Sequence, residues 1–152
     1  LAKNPKYTAD DLETILLGTA QDMDDPGWDE LTGAGLLDAS AALRASPEAM
    51  ITVFVTGIEI YRKDPKALVE YVDVYGTVRG PFKDYVVGLG KGKRAGGFKK
   101  VSAVFTERAE NKWLVRIPSD NLNGSEDWVI QISATDKDSK KKNARAYFSI
   151  AK

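Results

Sequence analysis

The chain has 152 residues, enough for one ordinary domain or for a small domain with an appendage. Hydrophobic residues make up 43% and charged residues 29%, which supports a packed core and argues against wholesale disorder. There is no Cys and no His, and that excludes disulfides, thiol chemistry, Ser-His-Asp or Cys-His catalysis and every His-ligated metal site within these residues.

The formal net charge of zero is a cancellation. Residues 1–50 hold three basic and ten acidic side chains, a net −7, whereas residues 51–152 hold nineteen and twelve, a net +7. Such asymmetry points to two segments of different origin that attract each other weakly. No apolar run approaches the roughly 20 residues of a membrane-spanning helix, so no membrane span is expected. No basic stretch followed by an apolar one stands at the start. The first residue is Leu1, and the chain reads as a piece of something longer.

In chain order, the first segment reads helix, turn, helix. Thr8 followed three residues later by Asp11 is a capping box in its weaker Asp form. Leu12, Ile15, Leu16 and Thr19 then share one helical face, which Leu17 widens, and the helix is expected to stop between Gly18 and Asp22. After an acidic turn with Pro26 and Gly27, Asp38 caps a short helix Ala39–Arg44, which Pro47 ends. Two short helices with one apolar face each enclose no core, so Leu12, Ile15, Leu16, Leu36, Leu37 and Leu43 are expected to be mostly buried against something else. The candidates are the rest of the chain, a second copy, or a separate chain.

From Met50 onward the hydrophobic period changes from 3.6 to 2. Expected strands are Ile51–Val55, Ile58–Tyr61, Leu68–Val78, Tyr85–Leu89, Lys100–Phe105, Trp113–Ile117, Trp128–Ala134 and Ala144–Ile150. In the last three the alternation is clean: Trp113, Val115 and Ile117 on one face, then Trp128, Ile130, Ile132 and Ala134, then Ala144, Ala146, Phe148 and Ile150. Seven or eight short strands in about a hundred residues suit a β-sandwich. The fold class is therefore mainly β: an Ig-like or jelly-roll-type antiparallel sandwich, residues 50–152, preceded by a short two-helix segment, residues 1–46. "TDKDSKKKNA" is read as a solvated, basic hairpin tip.

The stretch "NPKYTADDLETILLGTAQDMDDPGWDELTGAGLLDASAAL", Asn4 to Leu43, resembles the end of a subtilisin-like serine peptidase domain. The resemblance rests on Asn4-Pro5, on a helix ending in Thr19-Ala20, on Gly33-Ala34-Gly35-Leu36-Leu37-Asp38-Ala39, and on the alanine-rich close Ala41-Ala42-Leu43. It covers about a quarter of the chain. It implies that the catalytic Asp, His and Ser all precede this region, that the parallel sheet of the peptidase is absent here, and that no catalytic residue carries over. "VDVYGTVRGPFKDYVVGLGKG" has a looser likeness to sandwich domains found behind bacterial subtilase catalytic domains.

Other constellations read as structure. In "DMDDPGWDE" the oxygen donors Asp22, Asp24, Asp25, Asp29 and Glu30 fit a calcium loop only as far as Gly27 at the sixth position. Pro26 at the fifth and Gly33 at the twelfth break the pattern, which leaves a solvated acidic turn. "GLGKGKRAGG" lacks the Ser or Thr and the following helix of a phosphate cradle, so it reads as a flexible basic loop. With "KDSKKK" it offers lysines without the interleaved aromatics of a nucleic-acid platform, so no nucleic-acid partner is expected. Trp113 and Trp128 read as core, and Trp28, in the acidic turn, as the most exposable of the three tryptophans. The pair Glu107 and Glu110 reads as surface charge rather than a glycosidase dyad.

The expected function, which the resemblance implies, is the non-catalytic C-terminal region of a secreted bacterial subtilisin-like serine protease, supporting stability or substrate and surface targeting. Its partner would be the catalytic core of the parent protease, or a second copy in a dimer. Neither cofactor nor metal is expected, and no catalytic activity from this chain alone. The alternative is a free-standing Ig-like binding or adhesion module for a glycan or cell surface.

Overall fold

The computed structural model of the chain describes residues 4–23 and 32–150. It opens with helix α1, Ala9–Thr19, fixed by the Thr8 and Asp11 exchange anticipated from their spacing. The Asp11 N–H donates to Thr8 Oγ1 (3.2 Å), and the Thr8 N–H donates to the Asp11 carboxylate (2.9 Å). The chain leaves the helix at Ala20, whose backbone is extended. Gln21 and Leu36 then exchange two backbone hydrogen bonds of 2.8 Å each. Gly35 permits that approach: its φ is +98°, and a Cβ there would lie 2.1 Å from the Gln21 carbonyl oxygen. Asp38 caps α2, Ala39–Arg44, by accepting from the Ala41 N–H (2.8 Å), and a single 3₁₀ turn, Pro47–Ala49, leads into the strands.

Seven strands follow: β1 (Thr52–Arg62), β2 (Val69–Arg79), β3 (Asp84–Lys91), β4 (Lys99–Lys100), β5 (Ala109–Pro118), β6 (Asp127–Thr135) and β7 (Lys141–Ser149). They form two antiparallel sheets, ordered β1-β2-β5 and β4-β3-β6-β7. The expected antiparallel β-sandwich preceded by a short helical segment is what the chain adopts. Val72, Val74 and Val78 of the first sheet, with Val87, Ile130 and Ile132 of the second, are among the largest side chains removed entirely from solvent. Burying each such side chain stabilises the fold by about 1.5–3 kcal/mol.

The strand boundaries differ from the expectation. β5 begins four residues earlier, at Ala109, and β7 three earlier, at Lys141, within the stretch read as a hairpin tip. Two further differences are larger. Ile51–Val55 and Ile58–Tyr61 belong to one strand, because a bulge between Val55 and Gly57 absorbs the irregular residue without ending the pairing with β2. The expected strand Lys100–Phe105 is reduced to β4 plus a bridge between Tyr85 and Phe105. Between them the Ser102 hydroxyl accepts from the Val87 N–H (2.8 Å), so a side chain occupies a place in the ladder that a backbone carbonyl would fill.

The helical segment rests on the sandwich lightly. The buried cluster of the sandwich runs from Val53 to Phe148 and includes no residue of α1 or α2. Among the described residues the joint includes the Thr14 and Thr52 hydroxyls (3.3 Å), the close approach of Gly18 to Met50, and an Arg79–Asp10 pair at 3.8 Å. That long ion pair is weak.

Candidate functional site

Two surfaces stand out, and the first is the helical segment. Within this chain the sandwich does not supply the burial expected for the segment's apolar face. Ile15 is buried and Leu12 half-buried, but Leu16 is 43% exposed, Leu36 and Leu37 58%, and Leu43 61%. The physical reason is that both inner sheet faces are already filled by their own strands, so α1 meets the sandwich through Thr14 and Gly18 instead. On the other side α1 and α2 enclose an open apolar groove of about 620 Å³, lined by residues including Tyr7, Leu12, Leu16, Leu37 and Leu43. Exposed apolar surface of this kind marks an interaction site.

The second surface is the outer face of the sheet β1-β2-β5. The run Tyr71-Val72-Asp73-Val74-Tyr75 in β2 sends its valines inward and its aromatic and acidic residues outward. Pairing then builds three rows across the sheet: Tyr61, Tyr71 and Pro118; Glu59, Asp73 and Arg116; Gly57, Tyr75 and Trp113. In the first row the rings of Tyr61 and Tyr71 stack, with centroids 4.7 Å apart and planes 9° from parallel. The Arg116 guanidinium reaches over from the second row to the Tyr71 ring, 3.7 Å from its centroid.

Arg116 grips Asp73 in a two-point pair, Nε to Oδ1 at 2.9 Å and Nη2 to Oδ2 at 2.7 Å. Trp113 Nε1 donates to the same Oδ1 at 3.0 Å, and the Tyr75 hydroxyl donates to Glu59 at 3.2 Å. The Arg116 hydrogen bonds hold the Asp73 carboxyl below the usual carboxylate range; burial opposes this, and the Trp113 N–H adds to it. Partial burial, with the Glu59 carboxylate behind it, pushes the Tyr75 phenol up.

Trp113 is not a core residue, contrary to the alternation from which it was assigned. It pairs with Tyr75 while Val115 pairs with Val74, so Leu114 is an extra residue in β5. That bulge puts both Leu114 and Val115 inside and turns Trp113 out, 48% exposed. Trp128 is buried as expected, its N–H donating to the Ser125 carbonyl (3.2 Å). Trp28 lies outside the described residues, as do Asp24, Asp25, Pro26, Gly27, Asp29 and Glu30.

The glycine-rich stretch is corrected in part. Gly88 and Leu89 lie in β3 as expected, and Gly90 and Lys91 continue that strand rather than opening a loop. A Cβ on Gly90 would lie 2.4 Å from the Ala95 Cβ and 2.8 Å from the Phe98 ring, so the small residue there lets the following segment fold back over the strand. Glu107 is exposed and Glu110 pairs with Arg79 at 2.8 Å, which leaves them well apart in role. Among the described residues no three acidic side chains gather as a metal site. Sequence reasoning missed Tyr61, Tyr71, Asp73 and Arg116, although the period-2 pattern of "YVDVY" carried the signal.

The chain matches no protein-family model, no curated protein and no solved structure.

Proposed function

We propose that this chain is the non-catalytic C-terminal region of a secreted bacterial subtilisin-like serine protease. The helical segment completes the catalytic domain and the sandwich is an accessory domain behind it. The observation that supports this reading is the groove between α1 and α2, whose leucines stay open to solvent within this chain. It coincides with the stretch Asn4 to Leu43 that resembles the end of a peptidase domain. A catalytic core seated on Leu12, Leu16 and Leu37 would bury them, and the sandwich, joined to the far side of α1, would be carried beside it.

The test is a fusion of the chain behind a subtilisin-like catalytic domain cut directly after its Ser-bearing helix. The expected result is an active, folded peptidase, with activity lost in a Leu16→Asp, Leu37→Asp double variant. A fusion that stays inactive, while the same catalytic domain with its own last helices is active, overturns the reading, and so does casein hydrolysis by the chain alone.

A second reading, an Ig-like binding or adhesion module for a glycan or cell surface, draws its support from the outward aromatic rows of the first sheet.

A further inference from the structure

We propose that the outer face of the sheet β1-β2-β5 is a binding platform for a neutral, β-linked oligosaccharide, which lies along β2 between the aromatic rows. This rests on the binding-module reading and is independent of the protease reading.

The face has the two kinds of group that a pyranose ring needs. A sugar ring offers apolar C–H faces and a rim of hydroxyls, so it is held by exposed aromatic rings together with charged planar groups that take several hydrogen bonds at once. Tyr61, 45% exposed, stands at one end and Trp113, 48% exposed, at the other. Along β2 their partners Tyr71 and Tyr75 are four residues apart, about 13 Å at the rise of an antiparallel strand. Such a spacing serves a chain of several rings rather than one. A β-linked chain is extended, which matches aromatic rows set apart along one strand.

The row between the aromatics supplies the polar contacts. Arg116 uses two of its five N–H groups on Asp73, and three remain for hydroxyl oxygens. Glu59 is exposed and accepts a single hydrogen bond, from Tyr75, which leaves lone pairs for hydroxyl donors. Arg116 and Asp73 neutralise each other, and Glu59 leaves the row with one negative charge. That balance disfavours polyanions and suits an uncharged ligand rich in donors.

The face is also held in place before any ligand arrives. The Trp113 ring is tied to a carboxylate 9% exposed, and Tyr71 is clamped between Tyr61 and Arg116. Little rotamer freedom remains to be lost on binding. Three charged groups in the middle row also argue against a proline-rich peptide, which asks mainly for an apolar slot.

The experiment titrates the full chain with cellohexaose and with chitohexaose, followed by calorimetry and tryptophan fluorescence. Saturable binding of at least one is expected, weakened about tenfold or more in Trp113→Ala, the scale of one lost stacking contact. Tyr61→Ala, on an exposed side chain of an edge strand, is the second variant and decides the matter if Trp113→Ala does not fold. Absence of binding to either sugar at millimolar concentration overturns the proposal. Binding undiminished in both variants overturns it too, while leaving the chain a glycan-binding module through another surface. Binding of a proline-rich decapeptide without either sugar overturns both this proposal and the glycan-module reading, and none of these results bears on the protease fusion.

Discussion

Thr52 Oγ1 donates to Thr14 Oγ1 across 3.3 Å, a buried hydroxyl pair that joins α1 to the first strand of the sandwich. Removing one partner strands the other in an apolar joint, at a cost of about 1–3 kcal/mol, whereas removing both is nearly neutral. Thr14→Val and Thr52→Val are each expected to lower the urea midpoint, and the double variant to recover most of the loss. Urea titration of the four proteins as a double-mutant cycle checks this. Additive losses would show that the hydroxyls do not interact.

The Asp73 carboxyl sets a pH dependence of known sign. Its folded-state pKa lies below the ordinary 3.8, chiefly through the Arg116 hydrogen bonds. In the acid window the unfolded chain therefore binds more protons, and stability rises with pH. The contribution is complete above about pH 4 and is lost as pH falls through the lower, folded value. The capping acids Asp11 and Asp38 are lowered too and act with the same sign. Urea midpoints of wild type and Asp73→Asn, measured from pH 7 to pH 2, should converge at the acid end. A constant gap across the range rules the linkage out.

Gly76 sits where the two sheets approach each other. A Cβ there would lie 2.5 Å from Ile132 Cδ1 and 2.7 Å from Leu114 Cδ1. Gly76→Ala is expected to destabilise the sandwich by about 1–3 kcal/mol through overpacking. Ile132→Val in the same background makes room and should return part of the loss. Thermal melts of the single and double variants measure it, and a Gly76→Ala protein as stable as wild type contradicts the packing described.

Thr8 acts locally. Thr8→Ala removes the capping box from α1 and should cost the helix about 1 kcal/mol. Because the sandwich cluster contains no residue of α1, amide exchange is expected to quicken in Ala9–Thr19 and to stay unchanged in β2 and β6. Equal acceleration throughout would mean that helix and sandwich unfold as one unit.

What the sequence disclosed follows from how local each signal is. Thr8, Asp11 and Asp38 place helix starts through backbone donors a few residues away, so α1 and α2 were legible to within a residue or two. The centres of β6 and β7 were legible because their register runs without a bulge, although the first three residues of β7, Lys141–Asn143, were read as part of the hairpin tip. Strand β5 was legible as a strand but not in its facing, since Leu114 shifts the phase, and the pairing partners that reveal the shift lie about forty residues upstream in β2. The same shift decides Trp113. The rows on the outer face depend on register among three strands, which no single stretch records. What covers the groove between α1 and α2 was not legible, because a leucine stripe specifies that a cover is needed and not which chain supplies it.

The extra residue at Leu114 has a consequence for how this molecule meets copies of itself. Strand β5 is an edge of its sheet, with backbone donors and acceptors turned away from β2 that another strand could adopt as a template. A strand aligning there would need an unbroken run of evenly spaced partners, and the bulge interrupts that run in the middle of β5. Pro118, at the end of the strand, has no N–H to offer, and the exposed Lys112 adds a charge of the kind that blunts an edge. The irregularity that presents Trp113 to solvent thereby also guards the sheet against growing by one strand after another into a fibre.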